Sequence, residues 1–325
     1  MPLHPLNPHQ GDYDFDDLVK RQPQLAAYLK KRPDGKTTLD FSQDQAVKLL
    51  NQALLQQVYG VQHWDIPAGY LCPPVPGRAD YVCRIHDLLS EQGLISSNAV
   101  TEKAAHKNIA GTNIKGKNIT GLDIGTGANV IYPIVGSQLF NWKFVGAELD
   151  ATAFNTAKTL VALNKNLAPF IKVRRQLKAK HIFEGIIQAD DYFDFTLCNP
   201  PFHRSAQDAQ TGTQRKWNNL ARSKSKRGKP TLVDAQQPSA KNQNLNFGGQ
   251  SNELWCDGGE AQFIRNMIAE SVQFQKQVGW FTTLVSKKEN LKAIYQQLKA
   301  CKAREVKTID MQQGNKQSRF VAWRF

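Results

Sequence analysis

The sequence predicts an α/β fold: a doubly wound, mostly parallel sheet preceded by a small, mainly helical region. Three observations point there. Short apolar β-type runs alternate with helical patterns between about Arg78 and Phe202, a glycine-rich turn directly follows the first of those runs, and two further β-type runs, WFTTLVS and SRFVAWRF, follow the last helical stretch. Strand, helix, strand, helix is the order that a parallel sheet covered on both faces requires.

Up to about Gly77 the chain is rich in Pro, Asp and Gln and holds one clear helix, SQDQAVKLLNQALLQQVYG. Ser42 with Gln45 reads as a capping box, Val47, Leu50, Leu54 and Val58 as the apolar stripe, and Gly60 as the stop. This part, residues 1–77, is expected to be an accessory region, and residues 78–325 the sheet domain. The domain's first strand and turn are NITGLDIGTG, followed by a helix. WKFVGAELD is the second strand, and ATAFNTAKTLVALN is a helix with Phe154, Ala157 and Val161 on one face. IKVRRQ is the third strand, a helix is expected after it, and FDFTLCNPPF is the fourth strand. Residues 203–250 turn to Ser, Lys, Asn, Gln and Gly, a composition that predicts a mobile insertion. Helical periodicity returns in GGEAQFIRNMIAESVQFQKQVG, with Ile264, Met267, Ile268 and Val272 along one side.

Bulk properties narrow the function classes. No uninterrupted apolar run approaches the roughly 20 residues of a membrane span, and the start MPLHPLNPHQ lacks the apolar core of a secretion signal. The expected location is the cytoplasm, with no membrane partner. The five cysteines, Cys72, Cys83, Cys198, Cys256 and Cys301, are scattered and none forms a CxxC pair, so neither a zinc site nor a disulfide framework is indicated. A net charge of +14 restricts the partner to a polyanion or an acidic surface. Much of that charge is local. Between His203 and Pro230 a single acid, Asp208, stands against a series of Arg and Lys; a solvated charged loop has the same composition.

Two constellations carry chemistry. In GLDIGTGANVIYPI, Gly125 and Gly127 flank Thr126 directly after a strand, and Glu148 follows at the tip of the next strand. A turn of this kind lets backbone approach a ligand, and a carboxylate about 20 residues later holds ribose hydroxyls. Val130 occupies the position of the third glycine in the dinucleotide pattern, which disfavours a pyrophosphate cradle and favours a nucleoside without phosphates. S-adenosylmethionine combines adenosine with an amino acid and fits that description. Asp123, at the strand end, is expected near its amino-acid part. Taken alone, the two glycines could simply close a turn and Glu148 be a surface acid.

The second constellation is Asn199-Pro200-Pro201-Phe202 at the end of the fourth strand. Two prolines hold φ near −65° and donate no hydrogen bond, so the chain leaves the sheet stiffly and presents acceptors. The 6-amino group of adenine is a poor nucleophile because its lone pair is delocalised. If the Asn199 side-chain oxygen and the Pro200 carbonyl accept its hydrogens, the lone pair is directed at an incoming methyl group without a strong base. Phe202 is expected to stack on the base. Asn-Pro is also an ordinary turn dipeptide.

Together the glycine turn and Asn-Pro-Pro-Phe resemble the class I, S-adenosylmethionine-dependent amino-methyltransferases. LHPLNPHQGDYDF, YLCPPVPGRADYV, LDIGTGANVIYP, LCNPPFH, NFGGQSNELWCDGGEAQFI and QSRFVAWRF resemble, more closely, the bacterial adenine-N6 methyltransferases that modify A1618 of 23S rRNA, a group similar to the eukaryotic methyltransferase-16-like RNA methylases. The likeness runs over almost the whole chain. It implies a Rossmann-like sheet whose last strand is antiparallel, S-adenosylmethionine as cofactor, and 23S rRNA or a large-subunit precursor particle as partner. A monomer without a metal suffices. It also implies that Arg78 binds the cofactor carboxylate, that Gly125 and Glu148 bind the cofactor, and that Asn199 to Phe202 are catalytic. From the sequence alone Arg78 reads as a salt-bridge partner of Asp80 or Glu91. RRQLKAKHIFEGII offers no clear acidic residue for the cofactor adenine.

With that resemblance the charge finds a use, since phosphates supply most sequence-independent affinity for RNA and the target base must be unpaired or flipped out. Arg204, Arg215, Lys216, Arg222, Lys224, Lys226, Arg227 and Lys229 are expected to guide the strand past Phe202, ordering only when it is bound, and residues 1–77 are expected to be an RNA-binding accessory region on the flank of the pocket. His203 reads as a solvated loop histidine, and the roles of His4 and His9 stay open. Adenine in another RNA or in DNA, a glutamine side chain in a protein, and a silent RNA-binding assembly factor are the alternatives; the intact motif with Glu148 favours an enzyme, and the basic insertion disfavours a protein substrate.

Overall fold

A computed structural model describes residues 2–95, 118–201, 256–313 and 316–325. Helix α1 (Phe15–Arg21) starts at Asp14, whose side chain accepts from the Asp17 amide. Strands β1 (Leu29–Lys31) and β2 (Thr37–Leu39) form an antiparallel hairpin that leads into α2 (Asp44–Tyr59). The expected capping box does not form. Asp40 Oδ1 accepts from both the Ser42 hydroxyl at 2.6 Å and the Ser42 amide at 3.3 Å, the amide that the Gln45 side chain would take in a capping box, because a carboxylate is the stronger acceptor; the helix starts after Gln43. Gly60 ends α2 as expected, at φ 66°. The buried face is broader than the expected stripe: Ala46, Leu49, Leu50, Ala53 and Leu54 pack with Leu18, Leu25 and Leu39 into a small core, while Val47 and Val58 are only partly covered.

Helix α3 (Val75–Ser90) spans the point between residues 77 and 78, and the chain start is laced to it. The His4 amide donates to Asp80 Oδ1 at 2.6 Å, His4 Nε2 meets Asp87 Oδ2 at 2.7 Å, and Asn7 Nδ2 donates to the Pro76 carbonyl at 2.9 Å. His9 Nε2 meets Tyr59 Oη at 2.8 Å, and burial lowers its pKa to about 4. Both histidines are therefore structural.

The main sheet comprises β3 (Thr120–Ile124), β4 (Lys143–Glu148), β5 (Ile171–Arg175), β6 (Phe193–Cys198), β7 (Val278–Leu284), β8 (Glu305–Gln313) and β9 (Lys316–Arg324). Their order is β5-β4-β3-β6-β7-β9-β8, and β9, antiparallel to both neighbours, matches the expected antiparallel last strand. Among the described residues four further helices pack on it: α4 (Ile131–Phe140), α5 (Ala151–Leu163), α6 (Gly259–Ser271) and α7 (Leu291–Ala300). Period-two alternation sends Phe144, Phe320 and Ala322 into the core shared with α3, α4 and α5, and Val145, Val321 and Trp323 into the core shared with α6 and α7. Gly121 and Gly136 are required for contact: an added Cβ would lie 2.6 Å from Phe195 Cζ and 2.5 Å from the Phe144 ring respectively.

Three expectations need correction. No helix joins β5 to β6; residues 176–192 run in turns. Phe154 and Val272 are half-exposed, the buried positions of α5 being Ala153, Ala157, Leu160 and Val161. Neither α3, α7 nor β8 shows in the sequence reading. The sheet reverses winding between β3 and β6, which places the ligand crevice beyond their carboxyl ends.

Candidate active site

Beyond β3 the chain turns back at once. The amides of Gly125 and Thr126 both donate to the Ala147 carbonyl at 3.0 Å, and Gly125 and Gly127 take φ of 71° and 65°, values open to glycine at little cost. An added Cβ on Gly125 would meet no atom within 4 Å, so that face of the turn is open to a ligand. Val130, at the third-glycine position, is also left-handed at φ 52°, fully buried, and caps α4. The turn is braced from outside by Trp64 Nε1, which donates to the Asn129 carbonyl at 2.9 Å.

Glu148 ends β4 and is 7% exposed. Its Oε2 accepts from the Gly127 amide and its Oε1 from the Asp150 amide, both at 2.8 Å. Burial raises its pKa while these backbone donors oppose the rise. Each oxygen keeps a lone pair for a ligand hydroxyl.

Arg78 reaches the site from the first turn of α3. Its Nη1 donates to Tyr132 Oη at 2.7 Å, with the guanidinium 5.5 Å from the ring centroid. The expected ion pair with Asp80 or Glu91 is absent, because Arg84 Nε occupies Asp80 at 3.2 Å and Lys307 Nζ occupies Glu91 at 2.6 Å. Its remaining donors are thus not committed to either acid. Asp123 lies within range of the Arg78 charge. Burial pushes its carboxyl up to about 7; the Thr126 hydroxyl and Arg78 counter the rise, and Glu148 adds to it. Thr126 Oγ1 is close enough to influence that charge, yet it and both Asp123 oxygens are buried without a hydrogen-bond partner among the described residues.

β6 delivers Asn199, whose Oδ1 is likewise buried and unpartnered. Pro200 is buried and Pro201 half-buried. A cavity of about 620 Å³ collects Arg78, Gly125, Thr126, Gly127, Glu148, Asn199 and Pro201 in its lining. Asp123 and Pro200 are buried next to lining residues, Asp123 one residue before Ile124 and Pro200 between Asn199 and Pro201. Phe202, the eight basic residues from Arg204 to Lys229, and the rest of the insertion lie outside the described residues.

The lining also includes positions that the sequence did not single out: Tyr132, Leu71, Leu149, Phe263 and the segment 179–182. Tyr132 alone had a signal, one turn after the glycines in GTGANVIYP. Four unpartnered buried oxygens beside a guanidinium and a carboxylate suit a ligand with a carboxylate at one end, hydrogen-bond donors and a positive charge. S-adenosylmethionine has all three, so the residues fit the expected cofactor. Among the described residues no cluster of His, Cys, Asp or Glu could hold a metal ion, and no helix is long and apolar enough to cross a membrane.

The profile of a family described as RNA methyltransferase matches residues 1–325. The chain belongs to this RNA methyltransferase family. It is 48% identical over 323 residues to the ribosomal RNA large subunit methyltransferase F of Psychrobacter sp. (strain PRwf-1), covering 99% of this chain and 93% of that one. The enzyme of the same name from Pseudomonas entomophila (strain L48) is 47% identical with the same coverage. Among solved structures, the human METTL16 catalytic domain in complex with the MAT2A 3′UTR hairpin 1 superposes with a TM-score of 0.74 at 26% identity, covering 100% of this chain and 96% of that one. The human METTL16 N-terminal domain in complex with SAH gives 0.71 at 26% identity, covering 100% and 99%. The chain is thus a class I methyltransferase that uses S-adenosylmethionine, as its motifs led one to expect.

Proposed function

We propose that this methyltransferase acts on the 6-amino group of one adenine in large-subunit ribosomal RNA, A1618 of 23S rRNA by resemblance. The observation that carries the reading is Asn199 Oδ1, a buried acceptor without a partner at the lip of the cavity, next to Pro201. An unpaired buried acceptor is costly unless a ligand satisfies it, and an amine hydrogen does so. The Pro200 carbonyl takes the second hydrogen, which fixes the plane of the amine and aims its lone pair; Phe202 stacks on the base. No residue need act as a strong base, because the proton becomes acidic only as the new bond forms.

When bound, S-adenosylmethionine supplies the methyl group on a sulfonium. Arg78 would hold its carboxylate, Asp123 would offset its ammonium, Glu148 would take the ribose hydroxyls, and Gly125 and Gly127 would allow close approach. The RNA reading is supported by the names of the relatives and by the RNA complex of the METTL16 domain. Residues 203–250 contain nine Lys and Arg against two Asp, whereas residues 1–77 contain seven against eight. Phosphate affinity therefore falls to the insertion, and the first 77 residues contribute shape and bracing. The enzyme works as a metal-free cytoplasmic monomer on 23S rRNA or a precursor particle.

Asn199→Ala tests the assignment. The variant should bind S-adenosylhomocysteine as the parent does, while methyl transfer to an rRNA fragment falls by a factor on the order of 100 or more. Retained transfer, or label appearing only in duplex DNA, refutes the reading.

A further inference from the structure

The crossing from β5 to β6 passes the cavity without a helix, and Ala179, Lys180, His181 and Ile182 form part of the cavity wall. Its position along the ligand follows from register. Glu148 pairs with Arg175 across β4 and β5, and the Gln176 amide donates to the Glu148 carbonyl at 2.8 Å. With the strand order β5-β4-β3-β6, the segment lies on the side of Glu148 away from Asn199. If Glu148 holds the ribose, this wall faces the adenine.

Turns of this length have no backbone ladder to hold them. The amides of Ile182, Phe183 and Glu184 are taken by one side chain from another element: Ile182 donates to Glu270 Oε2 at 2.8 Å, and Phe183 and Glu184 donate to Glu270 Oε1 at 2.8 and 2.7 Å. Gln176 braces the near end, its Nε2 donating to the Glu184 carbonyl and its Oε1 accepting from the Lys178 amide, each at 2.9 Å. Glu270 sits in the last turn of α6, where the helix dipole disfavours a negative charge, and no cation pairs with it among the described residues. A carboxylate in a locally unfavourable place, satisfied by three successive amides, points to a demand made elsewhere in the fold. The same helix lines the cavity through Phe263 and Asn266, so wall and helix are one unit.

We propose that Glu270 is a positioning residue for the adenosine end of the cofactor site. It sets the wall at 179–182 through backbone hydrogen bonds, which accounts for the lack of an acidic side chain at the end of the third strand of the sheet domain. The proposal rests on the orientation of the cofactor given above, with Glu148 at the ribose.

The test separates binding from turnover. Glu270→Ala should raise the KM for S-adenosylmethionine and weaken both S-adenosylhomocysteine and free adenosine by about tenfold, leaving kcat at saturating cofactor within about twofold. Glu270→Gln keeps an oxygen for Phe183 and Glu184 and places an amine against the Ile182 amide, so its loss should be intermediate, about threefold. Adenosine probes the nucleoside end alone, and calorimetry with it contains no RNA, so the outcome is independent of which base is methylated. Unchanged affinities, a fall in kcat at constant KM, or weakening of S-adenosylhomocysteine without adenosine each overturns the proposal. If the alanine variant fails to fold, the glutamine variant decides on the same readouts.

Discussion

Asp123→Asn should stabilise the ligand-free protein above pH 7 and fail to do so at pH 5. Asp123 is 1% exposed, and neither carboxylate oxygen has a hydrogen-bond partner among the described residues. Burial moves its pKa from 3.8 to about 7. In the unfolded chain the group is ionised above pH 4, while the folded chain keeps the proton until about pH 7. Between those values the folded state binds more protons, so stability falls as pH rises, and above pH 7 the full cost is present. At about 1.4 kcal/mol per pH unit the ceiling is roughly 4 kcal/mol. Asparagine has the same shape and no charge, but its amide is left unpartnered at a cost of about 1–2 kcal/mol. The net gain at pH 8 is then about 2 kcal/mol, or roughly 3 °C in Tm for a chain of this size. Thermal unfolding of parent and variant at pH 5 and pH 8, without cofactor, measures the difference. The same variant should bind S-adenosylhomocysteine more weakly, having lost the counter-charge to its ammonium. Equal Tm differences at the two pH values would refute the argument.

Other sites offer independent checks. Gly121→Ala places a Cβ 2.6 Å from Phe195 Cζ and 2.7 Å from Phe144 Cε1, and should lower stability by about 1–3 kcal/mol in urea unfolding while leaving S-adenosylhomocysteine affinity intact. His9 stays neutral in the folded protein down to about pH 4 whereas the unfolded chain takes a proton below 6.5, so it lowers stability as pH falls through that window. His9→Gln should flatten the loss between pH 7 and pH 5 in denaturant melts; an identical loss in parent and variant would count against the buried histidine.

What the sequence makes legible is what is periodic or glycine-marked. The four parallel strands from β3 to β6 alternate with breaks that their composition announces, and Gly125, Gly127, Glu148 and Asn199 arrive in one cavity because each ends a strand or follows one. Helix α3 escapes notice because Pro76 and Gly77 interrupt its first turn and because two of its polar residues, Asp80 and His86, are buried among Ala79, Tyr81, Val82, Cys83 and Leu89, so polarity does not mark its outer side; Arg78 is placed by resemblance, not pattern. β8, EVKTIDMQQ, is an edge strand whose exposed polar residues hide it. The crossing after β5 reads as a helix locally, but its path is set by Gln176 and by Glu270, far away in the chain, and no local signal encodes a partner that distant.

Val130 has a consequence for anyone redesigning this enzyme. A β-branched residue in the left-handed region costs on the order of 1–2 kcal/mol, and it persists here because the core closes over it. Replacing it with glycine would relieve that strain but would also empty a fully buried position of the core, a loss of about 2–3 kcal/mol that outweighs the gain, and would unlock the stretch that carries Gly125 and Gly127 toward the ligand. Directed evolution for heat resistance would therefore keep an apolar side chain at residue 130 in spite of its strained backbone, and cofactor affinity is retained with it.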